Sequence, residues 1–479
     1  MEKPHAICMP FPAQGHINAM LKVAKLLHFR GFHVTFVHTE YNSARIGCSN
    51  EMPPLLAADG FRFESIPDSL LPSIDPNTKQ DLPSLVLAVC NEFLSPFRDL
   101  MKRLNDPSSG VPPVTCVVSD CITGFTLEIA KEFGIPDLFL SSFSASGFMA
   151  LFHLKELMEK GLVPIKSEDD LTNGYLDTPI DWMPGMKNMR IKDLPSFVRS
   201  TDPNDIFFNF SKDEIQSALR ADAIIINTFD DLEEPILDAM SSSLLPPIYC
   251  LGPLHKLCSQ YCNNQLESIN GNMWEEHTNC LAWLDQKSPG SVIYVNFGSI
   301  TVMTSQHLVE FAWGLVKSGY EFLWIIRPDV VIGESSVLPK ELLDETMKRG
   351  LVTSWCPQVD VLEHASIGGF LTHCGWNSTM EALSAGVPMI CWPFFADQQT
   401  NCRYVCANWG VGTEIDVRVK REEVGERIRE MMGGGKKGEE MRKMASKWKE
   451  SASRTISPGG KSLENFEKVV KLLMKEKDG

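Results

Sequence analysis

The sequence predicts an α/β protein of two doubly wound, Rossmann-like domains that face each other across a cleft. Short apolar runs alternate with helical segments from the first residues onward, and the alternation starts again after an irregular polar stretch in mid-chain. Repeated strand–helix–strand units favour parallel strands with right-handed crossovers. The length of 479 residues leaves room for two such domains.

The first array opens with a strand, a helix and a strand. His5–Met9 is apolar and closed by prolines, and apolar side chains then recur at helical spacing from Ile17 to His28. Gly31 ends this helix, and Phe32–Val37 is rich in β-branched and aromatic residues. Three further elements follow: strand Val114–Ser119, helix Phe125–Phe133 and strand Ala223–Asn227.

An irregular segment divides the chain. The polar stretch Ser259–Gln265 has no periodicity, which is typical of an interdomain linker, and we place that linker at 253–275. The alternation resumes with strands Val292–Phe297, Phe322–Ile326, Gly369–Thr372 and Met389–Trp392, and with helices His307–Lys317 and Met380–Ala385. We therefore assign 1–252 to an N-terminal domain and 276–455 to a C-terminal domain. Apolar residues at helical spacing predict an amphipathic helix over Ser462–Lys475.

Charge and composition exclude several classes of function. With 45 basic and 61 acidic side chains, the net charge of −16 argues against a nucleic acid as the main partner. The 14 scattered cysteines include no Cys-x-x-Cys pair, so reduced cysteines are favoured over a zinc site. No secretory signal and no apolar run of about 18 residues is visible. We expect a cytoplasmic protein without a membrane span, and we take it to be a monomer.

Common nucleotide motifs are absent. No Gly-x-Gly-x-x-Gly follows the first strand, which disfavours a nicotinamide dehydrogenase. Gly460-Lys461-Ser462 imitates the end of a P-loop, but Thr455 stands where that motif needs glycine. The sequence also contains no Asp-x-Asp, a usual metal clamp for a sugar diphosphate. A bound diphosphate would therefore be held by protein groups alone, without a metal.

The turn after strand Gly369–Thr372 suits that task. A helix begins near Asn377, and the free N–H groups and dipole of a helix N-terminus favour an anion. His373, Asn377 and Ser378 add donors at the same point. The alternative is an ordinary helix start in which Ser378 and Glu381 form a capping box. The residues alone favour neither interpretation.

Two residues of the first array suit proton transfer. His16 lies where the first loop enters the first helix, whose N-terminus disfavours an imidazolium. Asp120 follows strand Val114–Ser119, so both residues lie at the edge of the sheet where doubly wound folds bind ligands. A carboxylate bonded to one imidazole nitrogen leaves the other as a general base. A packed histidine and a capping aspartate are the alternatives, because the sequence does not show that the two meet.

A resemblance to a known family extends over essentially the whole chain. The 44 residues Trp355–Gln398 resemble, without a gap, the signature box of plant secondary-product UDP-glycosyltransferases. Pro12–His16 and Val295–Ser299 match the same family. Leu171–Asp177 is similar to the branch that contains cyanohydrin, iridoid and terpenoid glucosyltransferases.

The resemblance implies a GT-B fold in which the C-terminal domain holds most of the UDP-sugar, and a C-terminal helix, within 456–479, that packs back on the N-terminal domain. The resemblance implies that Trp355 stacks on uracil, with Gln358 and the Cys356 backbone nearby, and that Glu381 binds the ribose. The implied diphosphate contacts are Ser299, His373, Asn377 and Ser378. The implied sugar contacts are Trp376, Asp397 and Gln398. Gln398, where some relatives carry histidine, implies UDP-glucose. No basic patch is needed for this diphosphate.

In the first domain, the resemblance makes His16 the general base and Asp120 its partner. Ser142, where relatives often carry threonine, is expected near the sugar phosphate. An acceptor pocket is expected to be lined by Phe11, Phe148 and Met149. The implied activity is inverting transfer of glucose to a hydroxyl of a small, largely apolar plant metabolite of terpenoid, phenolic or cyanohydrin type. Another donor sugar, an N- or S-acceptor, or a non-catalytic UDP-sugar-binding protein stay open as alternatives.

Overall fold

The computed structural model describes residues 3–49, 56–69, 81–243, 245–262, 266, 269, 271–331 and 339–474. Two sheets with helices on both faces confirm the predicted fold class. The predicted strands and helices are present, with ends shifted by a few residues.

The first sheet orders its strands β3-β4-β2-β1-β5-β6-β7-β8, and neighbours pair in parallel except β3 with β4. Its elements are β1 (His5–Met9), α1 (Gln14–Phe29), β2 (His33–Thr39), α2 (Glu40–Ser49), β3 (Leu56–Ala58), β4 (Phe61–Ile66), α3 (Leu82–Asn91), α4 (Leu94–Leu104), β5 (Cys116–Asp120), α5 (Phe125–Phe133), β6 (Asp137–Ser141), α6 (Ala145–Phe152), α7 (Leu154–Glu159), α8 (Ile206–Ala218), β7 (Ala223–Ile226), α9 (Asp230–Ser241) and β8 (Ile248–Cys250). The order of strands reverses between β1 and β5, which is the switch point where such sheets bind ligands.

The second sheet has the order β11-β10-β9-β12-β13-β14, all parallel, with its switch point between β9 and β12. The remaining elements are α10 (Leu254–Tyr261), α11 (Asn279–Leu284), β9 (Val292–Asn296), α12 (Ser305–Ser318), β10 (Glu321–Ile325), α13 (Lys340–Met347), β11 (Gly350–Thr353), α14 (Gln358–Glu363), β12 (Ile367–Thr372), α15 (Trp376–Ala385), β13 (Met389–Cys391), α16 (Gln398–Arg403), β14 (Gly412–Glu414), α17 (Arg421–Met432), α18 (Lys436–Ile456) and α19 (Lys461–Met474). The strand order is that of a Rossmann sheet.

Both faces of the first sheet are covered by apolar side chains. Val117 and Phe139 belong to the apolar cluster on one face, and Val118 and Leu140 belong to the cluster on the other. Burial on both faces explains why the strands appear in the sequence as continuous apolar runs. Within the described ranges, no helix combines the length and the apolarity that crossing a membrane requires.

The first part of the predicted linker is helix α10. Leu254, Leu257 and Cys258 stand at helical spacing and are buried against the apolar core of the first sheet. Burial of this short stripe stabilises the helix, although polar residues follow directly from Ser259 onward. Residues 263–265 of the same stretch lie outside the described residues.

Helix α19 lies on the first sheet, although it follows the second sheet in the chain. Val469 and Val470 are buried in the same cluster as Ala6 of β1. At the start of the helix, Ser462 Oγ donates a hydrogen bond to the carbonyl oxygen of Gly252 over 2.6 Å. The end of the predicted C-terminal segment, 475–479, lies outside the described residues.

Candidate active site

A cavity of about 460 Å³ lies between the carboxyl ends of the two sheets. The segments that follow β1 and β6 line one side, and those that follow β9, β11, β12 and β13 line the other. This volume is within the usual range for a small-molecule site. Every predicted site residue except Asp120, Phe148 and Met149 lines it.

The structure brings His16 and Asp120 together at the switch point of the first sheet. His16 is in the first turn of α1, and its Nδ1 lies 2.7 Å from Asp120 Oδ2. Asp120 ends β5, is fully buried and accepts hydrogen bonds from Ser142 Oγ (2.9 Å) and the Ile122 N–H (3.2 Å). Because β1 and β5 pair in parallel, the residues after β1 meet the end of β5. Nδ1 therefore faces the carboxylate, and the 17% exposed imidazole presents its other side to the cavity.

Aromatic and aliphatic side chains surround this pair on the cavity side. The Phe11 ring lies 5.1 Å from the His16 ring, between centroids, and the Phe143 ring lies 6.4 Å from it. The apolar lining further includes Leu82, Val86, Ile122, Phe197, Phe207, Phe210 and Phe395. This half of the cavity suits an apolar ligand that presents a polar group to His16.

The prediction that Phe148 and Met149 line the pocket is wrong. Both side chains lie in α6, which is buried along almost its whole length, and both are enclosed in the apolar core. A helix that is covered on every side places its apolar residues in the core rather than toward a ligand. Of the three predicted pocket residues, Phe11 alone lines the cavity.

On the opposite side, the N-terminus of α15 faces the cavity. Gly375 precedes the helix, and Trp376, Asn377 and Ser378 form its first turn. The N–H groups of a first turn have no acceptor within the helix, so they are available to an anion. Ser299, which follows β9, lines the same side of the cavity.

His373 is packed between two glycines. A Cβ atom at Gly298 would lie 2.3 Å from His373 Nε2, and one at Gly375 would lie 2.5 Å from it. Only glycine therefore fits at these two positions with the imidazole where it is. Burial, assisted by the nearby Arg327 charge, lowers the pKa of His373 to about 3. The ring is accordingly neutral and can donate one hydrogen bond.

Gln358 connects the residues expected to hold the nucleoside. Its Nε2 donates to Ser378 Oγ (2.9 Å) and to Glu381 Oε2 (2.8 Å). Its Oε1 accepts from Asn296 Nδ2 over 2.7 Å. Burial raises the pKa of Glu381, whereas the Lys22 charge and the Gln358 hydrogen bond favour its carboxylate form.

Two predicted ligands also hold the domains together. Asn377 Nδ2 donates to the Gly15 carbonyl oxygen over 2.7 Å, and Trp376 Nε1 donates to the Asn227 carbonyl oxygen over 2.9 Å. These side-chain N–H groups are therefore engaged with the first domain. What Trp376 and Asn377 offer a ligand is chiefly their backbone N–H groups at the helix start.

Asp397 and Gln398 begin α16 at the edge of the cavity. Asp397 Oδ2 accepts a hydrogen bond from Asn401 Nδ2 over 3.0 Å, and burial raises the pKa of Asp397 to about 6. Gln398 Oε1 accepts from the N–H groups of Phe394 (2.8 Å) and Phe395 (2.9 Å). These bonds orient the Gln398 side chain and leave its Nε2 as the donor for a ligand.

The end of the cavity that is expected to hold the nucleoside contains Trp355 and Cys356, which follow β11. Both line the cavity, and Cys356 Sγ lies 3.3 Å from the Tyr294 hydroxyl oxygen. Among the described residues, a group of three or more side chains able to hold a metal is formed by Cys374, Cys391 and Cys402 alone. All three are buried, and none lines the cavity.

Two lysines of the cavity lining were not predicted from the sequence. Lys22 and Lys25 line the cavity from α1, so the site contains cations as well as neutral donors. With Asn18 they stand at i, i+4 and i+7, a polar stripe on a helix that is otherwise mostly buried. That spacing is a sequence signal that could have found them.

A match to one protein family covers most of the chain. The family described as "UDP-glucoronosyl and UDP-glucosyl transferase" matches residues 74–450. The chain belongs to this family of UDP-glycosyltransferases.

Two relatives of the glycosyltransferase are similar over its whole length. The 7-deoxyloganetin glucosyltransferase of Gardenia jasminoides is 53% identical, covering 99% of this chain and 98% of its own. The (R)-mandelonitrile beta-glucosyltransferase of Prunus dulcis is 52% identical, covering 100% and 99%.

Solved structures of plant glycosyltransferases have the same fold. Phytolacca americana UGT2, complexed with UDP-2fluoro-glucose and pterostilbene, superimposes with a TM-score of 0.79 at 28% identity, covering 98% of this chain and 99% of that one. UDP-glucose: anthocyanidin 3-O-glucosyltransferase in complex with UDP gives a TM-score of 0.81 at 26% identity, covering 98% and 99%. The GT-B fold and the resemblance to the cyanohydrin and iridoid branch are thereby confirmed.

Proposed function

We propose that this glycosyltransferase is an inverting, UDP-glucose-dependent O-glucosyltransferase that acts without a metal on a hydroxyl of a small, largely apolar plant metabolite. One observation carries the proposal. His16 lines the same cavity as the N-terminus of α15, and Asp120 lies behind His16, with its Oδ2 2.7 Å from His16 Nδ1. A base and an anion site on opposite sides of one cavity are the two parts that glycosyl transfer from a nucleotide sugar requires.

The chemical step follows from this geometry. An acceptor hydroxyl gives its proton to His16 Nε2 while its oxygen forms a bond to the anomeric carbon of glucose. The bond from that carbon to the diphosphate oxygen breaks on the opposite face, so an α-linked donor gives a β-glucoside. Asp120 stabilises the imidazolium that forms, and Ser142 Oγ holds the carboxylate in place over 2.9 Å. This is the division of labour between a general base and its orienting carboxylate.

The leaving diphosphate is stabilised by groups of the second domain and by α1. The N–H groups at the start of α15, neutral His373 and Ser299 donate hydrogen bonds, and Lys22 supplies positive charge. Preorganised donors of this kind stabilise charge that develops in the transition state. In the proposal they replace the divalent cation. Trp355 stacks on uracil, Glu381 binds the ribose, and Asp397 and Gln398 bind the glucose hydroxyls.

The acceptor is proposed from the lining of the first domain. Phe11, Phe143, Phe207 and Phe210 give the cavity an apolar surface around His16, with Ser142 and Ser211 as further polar groups of the same lining. The names of the two relatives give 7-deoxyloganetin and (R)-mandelonitrile as acceptors, which supports a terpenoid or cyanohydrin aglycone. A phenolic acceptor fits the same aromatic lining and completes the proposed range.

The proposal includes the domain limits, 1–252 and 276–455. The last strand of the first sheet ends at Cys250 and the first strand of the second begins at Val292, which supports a division between them. The return of α19 to the first sheet supports assigning 456–479 to that side. A monomer in the cytoplasm completes the proposal.

The test is product analysis with defined donors and acceptors. The purified protein is incubated with UDP-glucose, UDP-galactose or UDP-xylose and a panel of terpenoid, cyanohydrin and phenolic alcohols, amines and thiols. We expect a mass gain of one hexose on alcohols with UDP-glucose, a β anomeric proton by NMR, and full activity in EDTA. An α product, dependence on a metal, a preference for amines or thiols, or UDP binding by calorimetry without turnover would overturn the corresponding part of the proposal.

A further inference from the structure

The uracil platform proposed above is itself backed by a second tryptophan. The rings of Trp274 and Trp355 are stacked, with centroids 4.9 Å apart and planes 25° apart. Trp355 lines the cavity, whereas Trp274 does not. Trp274 therefore covers one face of the Trp355 indole and restricts the movement of that ring from outside the cavity lining.

Trp274 is held from both domains. The guanidinium carbon of Arg45, in α2 of the first domain, lies 5.3 Å from the Trp274 ring centroid. That of Arg327, which follows β10 in the second domain, lies 5.9 Å from it. Arg327 is buried and paired with Asp329 over 2.9 Å, so its position is well determined. Guanidinium groups at these distances from an indole are attracted to its face.

The segment around Trp274, residues 271–277, connects the two halves of the site, and we call it the strap. At one end, Gln14 Nε2 donates to the Gly271 carbonyl oxygen over 2.7 Å, and the Met273 N–H donates to Gln14 Oε1 over 2.8 Å. At the other end, the His277 N–H donates to the Trp355 carbonyl oxygen over 3.1 Å.

The contact of the strap with α1 is close. A Cβ atom at Gly271 would lie 2.8 Å from Ile17 Cγ2. Gln14, which holds the strap, stands in the same first turn of α1 as His16. One short piece of backbone thus touches both the turn that carries the base and the residue that carries the uracil platform.

We propose that Trp274 is a positioning residue for the donor nucleotide and that the strap sets the separation between Trp355 and His16. The inference rests on the proposed function, in which Trp355 stacks on uracil. A platform that is already held in its binding orientation loses less conformational freedom when the nucleotide binds. Removing the backing ring should therefore weaken UDP binding, while the proton transfer at His16 stays intact.

The experiment compares Trp274→Leu with Trp274→Phe in the full-length protein. Leucine fills much of the space but cannot stack, whereas phenylalanine keeps a ring against Trp355. We expect Trp274→Leu to weaken UDP binding, measured by calorimetry, and to raise the KM for UDP-glucose, each about three- to tenfold, with kcat changed by less than about twofold. Trp274→Phe should stay within about twofold of the wild type in all three quantities.

A matched control is Trp283→Leu. Trp283 lies in α11, contacts Lys287 Nζ at 4.4 Å from its ring centroid and does not line the cavity. This control should leave UDP binding unchanged. Equal effects of leucine and phenylalanine at Trp274, or a loss of kcat at unchanged UDP affinity, would overturn the inference, because a purely structural role predicts those results.

Trp355→Leu separates this inference from the proposed function. If Trp355→Leu binds UDP as tightly as the wild type, uracil does not stack there, and the proposed donor placement fails together with the inference. If Trp355→Leu weakens UDP binding but Trp274→Leu does not, the donor placement stands and the positioning role of Trp274 is refuted.

Discussion

The two halves of the cavity occupy the same place in two sheets of the same type, yet their chemistry is opposite. Each lies at a switch point, between β1 and β5 in the first sheet and between β9 and β12 in the second. The first half carries a hydrogen-bonded histidine and carboxylate among aromatic rings. The second carries a helix N-terminus and neutral donors. The strand order thus decides where a ligand meets a sheet, and the residues at the strand ends decide what chemistry it meets.

His16 and His373 illustrate this difference between the two halves of the cavity. His16 is 17% exposed and has a carboxylate 2.7 Å from Nδ1, an arrangement that stabilises the ring when it accepts a proton. His373 lies between two glycines, and burial, assisted by the nearby Arg327 charge, lowers its pKa to about 3. One imidazole is therefore equipped to accept a proton, and the other is kept neutral as a donor.

The largest expected effect tests whether proton transfer belongs to the first half alone. His16→Ala should lower kcat/KM about 10²- to 10⁴-fold, because general-base catalysis contributes about that much. UDP affinity, measured by calorimetry, should hardly change, since most groups proposed to hold UDP lie in the second domain and Lys22 is left in place. His28→Ala, at the opposite end of α1, is the control and should retain activity. Full activity of His16→Ala would refute the assignment of the base.

A smaller effect is expected from Asp120→Asn, which separates orienting the base from being the base. The amide keeps the shape of the carboxylate but cannot stabilise an imidazolium, so kcat should fall about 10²-fold or more. Ser142→Ala removes a single hydrogen bond to the same carboxylate and should cost about tenfold. Equal activities of the Asn variant and the wild type would mean that the buried carboxylate only stabilises the fold.

A similarly modest effect is expected from pH, and it tests the comparison from the donor side. Burial raises the pKa of Asp397 to about 6, so lowering the pH through this value protonates its carboxylate and removes the charge proposed to accept hydrogen bonds from the sugar hydroxyls. The extra affinity of UDP-glucose over UDP should fall about tenfold from about pH 7 to pH 5. UDP serves as the internal reference, because groups that act on the nucleotide affect both ligands. A pH dependence that persists in Asp397→Asn would assign it to another residue.

Much of this architecture follows from local patterns in the sequence. Apolar runs alternating with amphipathic segments predict both sheets, because parallel strands are buried on both faces. His16 and Asp120 could be placed at the same sheet edge from the strand ends alone. The helix start at Asn377 fitted an anion site and an ordinary helix cap equally well, and only the family resemblance gave most of the donor residues their expected roles.

Other features depend on how distant segments pack, and no local pattern contains them. Asn377 donates to Gly15 across 362 residues of chain, so its side chain is engaged by a domain contact that spacing cannot show. The sequence places Phe148 and Met149 close to the predicted base, but it does not show that α6 is buried by packing on every side. The stack of Trp274 on Trp355 likewise depends on where the strap crosses the interface.

The contacts that join the domains have a consequence for how such enzymes diversify. Asn377 and Trp376 both donate to main-chain carbonyl oxygens of the first domain, at Gly15 and Asn227. A carbonyl is supplied by any amino acid, so side chains of the first domain can be exchanged without removing either hydrogen bond. Side chains of the acceptor half can therefore change, in evolution or in a chimaera, while both hydrogen bonds still align the donor half with it.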